Sequence, residues 1–263
     1  ASVQWSHRKP FRGYQREDNR RRVRKRLEKM KKRYAGAGAW AVSCGPPVEA
    51  ADVPDEAYRD GRIARSAVAT LREIQNEQFF LGVGFHLPHL PLTAPKKYWD
   101  LYDQSSIELP GNMRPPQGVP AFAWHPSFEL RARMDVPNSG PISRELARWV
   151  KHGYLASVSY VDAQVGRVLR ELDRLGLRDS TIVVLWADHG FHLGEQGMWG
   201  KATNFETALR VPLTVSTPEG MASGASSDAL VELIDLYPSL CELAGLPVPD
   251  RLEGTSFAPL LQN

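Results

Sequence analysis

The chain has 263 residues, 42% of them hydrophobic and 24% charged, which suits one large core or two smaller ones and excludes a fibrous or wholly disordered chain. Its longest apolar runs, such as Thr181 to Ala187, fall far short of the ~20 residues that cross a bilayer, so no membrane-spanning helix is expected. The net charge of +3 hides a split: residues 8–33 hold 14 Lys/Arg against 3 acids, leaving 19 against 27 for a mildly acidic remainder.

In chain order, Arg20 to Tyr34 predicts a solvated helix, with only Val23, Leu27 and Met30 as an apolar stripe. A connector from Ala35 to Pro54 follows. Gly61 to Asn76 then predicts an amphipathic helix carrying Ile63, Ala67, Leu71 and Ile74 on one face. Phe79 to Phe85 predicts a short buried strand that delivers His86 into a Pro-rich loop. Pro110 to Pro141, rich in Pro and Gly, predicts a long irregular excursion.

Ser143 opens a long helical pattern through Leu146, Val150, Tyr154, Val161, Val165, Val168, Leu172 and Leu175, with Gly176 as its stop. Thr181 to Ala187 predicts a strand buried on both faces, Arg210 to Ser216 another strand, and Asp228 to Ala244 a helix capped by Ser227 or Asp228. This order points to an α/β fold, a mostly parallel sheet with covering helices.

Chemistry concentrates between Ala187 and Phe205. Asp188 and His189 directly follow an expected strand, where open α/β sheets bind ligands. A carboxylate is a hard oxygen donor suited to calcium or magnesium, and imidazole can complete a shell or meet a bound anion. An Asp-His pair alone is more often a cap and a satisfied histidine. Lys201, twelve residues beyond His189 across a glycine-rich segment, shifts that balance, because a cation folded back beside a metal makes an anion site.

These residues resemble the sulfatase family of the alkaline-phosphatase superfamily. The resemblance rests on Asp188-His189-Gly190, Leu193-Gly194-Glu195, Trp199, Lys201, Asn204-Phe205 and Arg210-Val211-Pro212. It extends to Gly84-Phe85-His86-Leu87-Pro88-His89, to Tyr154 through Asp162 and to Asp235 through Leu240, covering about Val53 to Leu261. The histidine after the aspartate and the Gly-aromatic-His-x-Pro-His segment look most like its iduronate-2-sulfatase branch.

The resemblance implies sulfuric ester hydrolysis on a sulfated sugar or glycosaminoglycan unit and an alkaline-phosphatase-like α/β fold. It makes Asp188 and His189 calcium-site residues, His189 also a nucleophile contact, and His86 and Lys201 the catalytic and substrate-binding groups on the sulfate. His89, which shares the loop with His86, has no matching role. His192, Glu195 and Phe191 lie in the same loop as Asp188 and are read either as sugar contacts or as loop packing, outside the core site. The family suggests a secreted, periplasmic or lysosomal setting.

The sequence departs from the family pattern at the nucleophile. Sulfatases carry a formylglycine made within Cys/Ser-x-Pro-x-Arg, but in Cys44-Gly45-Pro46-Pro47-Val48 a valine stands where Arg is required, and the position is too close to His86. Cys44 and Cys241 are therefore read as ordinary thiols, without disulfide-framework or zinc spacing. Residues 1–52 are expected to be a basic segment and connector unlike the family, and 53–263 part of a catalytic domain incomplete at both ends. A complete parent would supply the formylglycine, leaving this chain inactive alone. A phosphate or phosphonate ester hydrolase of the same superfamily is the enzymatic alternative, and a non-catalytic polyanion binder the other. The partner expected is a sulfated carbohydrate, not a membrane, with residues 8–33 open to reading as a nucleic-acid arm.

Overall fold

The computed structural model describes residues 13–33, 45–218 and 224–261, so Cys44 and the start of the basic run lie outside it. Its elements run α1 (Glu17–Arg33), β1 (Val48–Ala51), α2 (Arg59–Ile74), β2 (Leu92–Pro95), α3 (Lys96–Trp99), α4 (Phe128–Arg131) and α5 (Arg144–Arg174). They continue through β3 (Val183–Trp186), β4 (His192–Leu193), β5 (Trp199–Gly200), α6 (Glu206–Leu209), β6 (Leu213–Ser216) and α7 (Leu236–Leu243). Two compact units divide the chain: Ala1–Arg170 with Phe191–Thr203, and Glu171–Gly190 with Asn204–Asn263. None of the described helices is long and apolar enough to cross a membrane.

The first unit is built on α5. Ser143 caps it, its hydroxyl accepting from Leu146 N at 3.1 Å. The helix meets β1 at Gly153, where a Cβ would stand 2.6 Å from Val48 Cγ1, so only glycine permits this approach. β1 and β2 pair in parallel, Val48 opposite Leu92. Val48, Leu92, Leu130, Ala147, Val150 and Trp199 form one buried cluster, and Tyr58, Leu87, Tyr98, Ala156 and Tyr160 belong to another.

The buried face of α5 is more polar than its apolar stripe predicts. His152 is 2% exposed, stacks on Trp99 at 3.6 Å and bonds the Trp99 carbonyl at 2.9 Å. The Tyr160 hydroxyl accepts from Gly61 N at 2.6 Å and donates to Asp55 O at 2.8 Å. Gln164 donates to Asp55 Oδ2 at 2.9 Å. His152, Tyr160 and Gln164 each have partners, which is what makes their burial tolerable.

The basic run does form a helix, α1, with Glu17 and Asp18 in its first turn where the dipole favours acids. Its start is tied down by Glu49, 3% exposed on β1. One oxygen of Glu49 accepts from Gln15 N at 2.5 Å and the Tyr58 hydroxyl at 2.8 Å; the other accepts from Arg16 N at 3.2 Å and Asn19 Nδ2 at 2.8 Å. Burial, and then the Glu49 charge, push the Tyr58 phenol up. Arg22 pairs with both oxygens of Asp135 at 2.5 and 2.7 Å, so part of the run faces protein rather than solvent.

Three expected elements differ. Phe79 to Phe85 forms no strand: the described residues give it no ladder, and Phe80 is 87% exposed. A strand needs a partner edge, which an apolar run cannot reveal. In the second unit, β3 pairs antiparallel with β6, Val183 opposite Ser216, and Leu185 and Trp186 are exposed rather than buried on both faces.

The last long helix starts at Leu236 instead of Asp228. Glu232 and Asp235 form the capping box of the 3-10 turn Leu233–Asp235 that leads into it, and neither Ser227 nor Asp228 caps the helix. Asp235 accepts Glu232 N at 2.9 Å and Thr255 N at 2.7 Å, and these contacts fix the start. Cys241 is a buried free thiol on this helix.

The Glu49 junction yields a stability prediction. Glu49→Ala strands the Tyr58 hydroxyl, Asn19 and two backbone N–H groups, and should cost about 3 kcal/mol. Urea unfolding checks it; an unchanged midpoint would show that water replaces the carboxylate without loss.

Candidate active site

His86 follows the apolar run Phe79 to Phe85 and is held through its backbone. Its N–H donates to Asp60 Oδ1 at 3.0 Å, the next N–H, of Leu87, donates to Asp60 Oδ2 at 2.9 Å, and the His86 carbonyl accepts from His89 N at 3.1 Å. The peptide bonds Leu87-Pro88 and Leu90-Pro91 are both cis. The rings of His86 and His89 lie 5.0 Å apart.

His89 Nδ1 lies 2.7 Å from Leu90 O. A carbonyl can only accept, so Nδ1 carries the proton and Nε2 offers a lone pair. Lys201 Nζ donates to that nitrogen at 3.1 Å, joining two segments 112 residues apart. Glu129 on α4 completes the group, with its two oxygens 2.9 and 3.0 Å from the same ammonium.

Local sequence explains where Lys201 sits. Trp199, 1% exposed, anchors β5 in the core and donates its N–H to Ser127 Oγ at 2.9 Å, one helix start away from Glu129. Gly200 takes φ +143, a conformation that favours glycine. The Lys201 side chain is only 19% exposed. Its pairing with Glu129 holds it in.

Burial pushes His86 down to about 4, reinforced by His89, Arg59, Arg133 and Lys201 nearby. At neutral pH it is an uncharged imidazole that can donate one N–H. The neighbouring loop residues are packed: Phe191 stacks on Tyr154 at 6.1 Å, His192 is buried with Nε2 2.8 Å from Thr203 Oγ1, and Glu195 accepts Leu193 N at 2.6 Å.

Asp188 and His189 belong to the second unit, after β3. The Asp188 side chain is 84% exposed, and Oδ1 accepts the His189 N–H at 3.0 Å. His189 Nδ1 lies 2.8 Å from the Gly190 carbonyl, so it carries the proton and Nε2, 3.6 Å from Asp188 Oδ2, is the side left open. A backbone carbonyl on the far nitrogen is how metal-binding histidines are commonly oriented. Gly190 permits the turn, since a Cβ there would meet Thr207 O at 2.0 Å.

The pair supplies one carboxylate and one imidazole, whereas calcium takes six to eight oxygen ligands. Among the described residues no group of three or more His, Cys, Asp or Glu could hold a metal. Asp188 and His189 do not make a calcium site by themselves.

The first unit thus brings together His86, His89, Lys201 and Glu129, and the second sets Asp188 beside His189. Asp60 and Glu129 carry no motif in the sequence; each is a lone acid whose partner lies far along the chain.

With this fold and these residues, the chain matches the Sulfatase family model over residues 7–246, a span that includes the basic helix, and it belongs to that family. Iduronate 2-sulfatase of Homo sapiens is 38% identical over 80% of this chain and 44% of its own length. The structure of the phosphonate monoester hydrolase of Silicibacter pomeroyi matches with TM-score 0.71 and 25% identity, over 95% of this chain and 51% of that one. A protein solved in complex with its substrate D-glucosamine-2-N,6-O-disulfate matches with TM-score 0.66 and 22% identity, over 78% and 52%. The chain therefore spans about half or less of the length of these relatives. The fold is the α/β fold that these neighbours share.

The electrostatics of His86 can be measured. Histidine-selective NMR titration should give it a midpoint about 4, below the ordinary 6.5. The unfolded chain then takes up this proton first on acidification, so stability should fall as pH drops from about 6.5 to 4, and the slope should flatten in His86→Gln. A midpoint at or above 6.5 would contradict the buried, cation-flanked setting.

Proposed function

We propose that this chain is the anion-gripping part of a sulfuric ester hydrolase acting on a sulfated sugar, as in the glycosaminoglycan-directed members of its family. The observation that carries the reading is the Lys201 ammonium held beside the His86-His89 pair across 112 residues of sequence. A fixed cation and a neutral imidazole donor are the groups that a sulfate monoester needs: charge on its peripheral oxygens and a hydrogen bond to the bridging oxygen as the ester breaks. Lys201 supplies the first and His86 the second.

Asp188 and His189 would be the share of a calcium centre that this chain contributes, the metal then offsetting sulfate charge. His189 would also face the nucleophile. The formylglycine of the family has no Cys/Ser-x-Pro-x-Arg motif to arise from in these residues, so on this reading it comes from elsewhere in a longer enzyme, and the 263-residue chain alone should not turn over an aryl sulfate.

The phosphonate monoester hydrolase match, at 25% identity over 95% of the chain, supports a second reading in which the same groups hold a phosphonate or phosphate ester. The 38% identity to iduronate 2-sulfatase favours sulfate. Parallel assays on sulfate, phosphate and phosphonate monoesters of one alcohol separate the two readings.

In the complete enzyme, Lys201→Ala should lower kcat/KM for a sulfated disaccharide by about 10²–10³-fold, the effect of removing one donor aimed at developing charge. Circular dichroism should show an intact fold. Kinetics near wild type would reduce Lys201 to the structural partner of Glu129.

A further inference from the structure

We propose that Asp60 is a positioning residue for His86, its buried carboxylate fixing the backbone from which that imidazole is aimed at the substrate. The assignment rests on the proposed function, in which His86 donates to the scissile ester.

Asp60 lies in the first turn of α2 and is 1% exposed. Its oxygens are divided between two consecutive amides, His86 N at 3.0 Å and Leu87 N at 2.9 Å. Among the described residues these are its hydrogen bonds, and it forms no ion pair with Arg59 or Arg62. A buried carboxylate without a salt-bridge partner is an expensive group, and burial pushes it up while the two amides pull it back. A neutral side chain could fill the space at lower cost. What the carboxylate provides is two acceptors in one plane, set at the spacing of adjacent N–H groups.

The clamp is itself immobile. Gly61 donates its N–H to the Tyr160 hydroxyl at 2.6 Å, and a Cβ at Gly61 would stand 2.3 Å from Asp55 O, so the start of α2 is wedged between α5 and the Asp55–Ala57 turn. Position is thus passed from Tyr160 to the start of α2, to Asp60, to the His86 backbone. The His86 carbonyl is also held, by His89 N at 3.1 Å, so the residue is gripped on both sides and its ring keeps its place beside His89.

Asp60→Asn retains one acceptor but turns an NH₂ toward the second amide, which should tilt the loop. Misplacement of a reacting group by about 1 Å costs on the order of 10²-fold in rate. In the complete enzyme, turnover of nitrophenyl sulfate is measured for wild type, Asp60→Asn, His86→Ala and the double variant. The expected result is a fall in kcat of about 10- to 100-fold in Asp60→Asn, a smaller change in KM, and a double variant no slower than His86→Ala alone. Asp60→Glu, which keeps both acceptors on a longer arm, should recover part of the loss and takes the place of Asp60→Asn in the cycle if that variant does not fold.

Additive losses, or wild-type kcat in Asp60→Asn beside a slow His86→Ala, would overturn the Asp60 assignment alone. A near-wild-type His86→Ala would overturn the reading of His86 and the assignment with it. Failure of both Asp60 variants to fold would make Asp60 a determinant of the fold and overturn the positioning role.

Discussion

A carboxylate removed from water must be met by donors, and this requirement organises the first unit. Glu49 gathers the start of α1 and the Tyr58 hydroxyl. Asp55 receives Tyr98 at 2.9 Å, Gln164 at 2.9 Å and Lys97 at 2.7 Å. Asp60 receives the His86 loop. Three acids within a short stretch of chain therefore join α1, α5 and the histidine loop to one another. Apolar packing fills the space around them, but a hydrogen bond fixes an angle as well as a distance, and angle is what a reacting group requires.

Much of this was legible in the sequence, for identifiable reasons. The long helix announced itself through Ser143 and Gly176 because caps are local chemistry. His86, Lys201, Asp188 and His189 stand out as candidates because motif spacing picks them, and the structure adds how each is held. The start of α7 was not, because Asp235 is tied to Thr255 twenty residues on, a contact that no periodicity encodes. The exposure of Leu185 and Trp186 was hidden for a related reason: an apolar run shows that a strand can be buried, and only its neighbours decide whether it is.

Glu129 and Asp60 mark the limit of motif reading in the site. Each is one acid in an unremarkable context, Glu129 within the Pro/Gly-rich excursion and Asp60 at a helix start. Their partners lie 72 and 26 residues away. Residues that touch a ligand fall into recognisable strings, whereas residues that hold those residues are placed by the fold.

The Glu129–Lys201 pair gives the site an anion of its own. Any incoming anion must compete with a carboxylate already seated 2.9 Å from the ammonium, so charge alone gains little on entry. A small ambient ion such as chloride can offer only that charge. On the proposed reading of Lys201, a ligand that also engages neighbouring groups can offset the displacement, and the internal pair then acts as a threshold that sorts ligands by how many contacts they make.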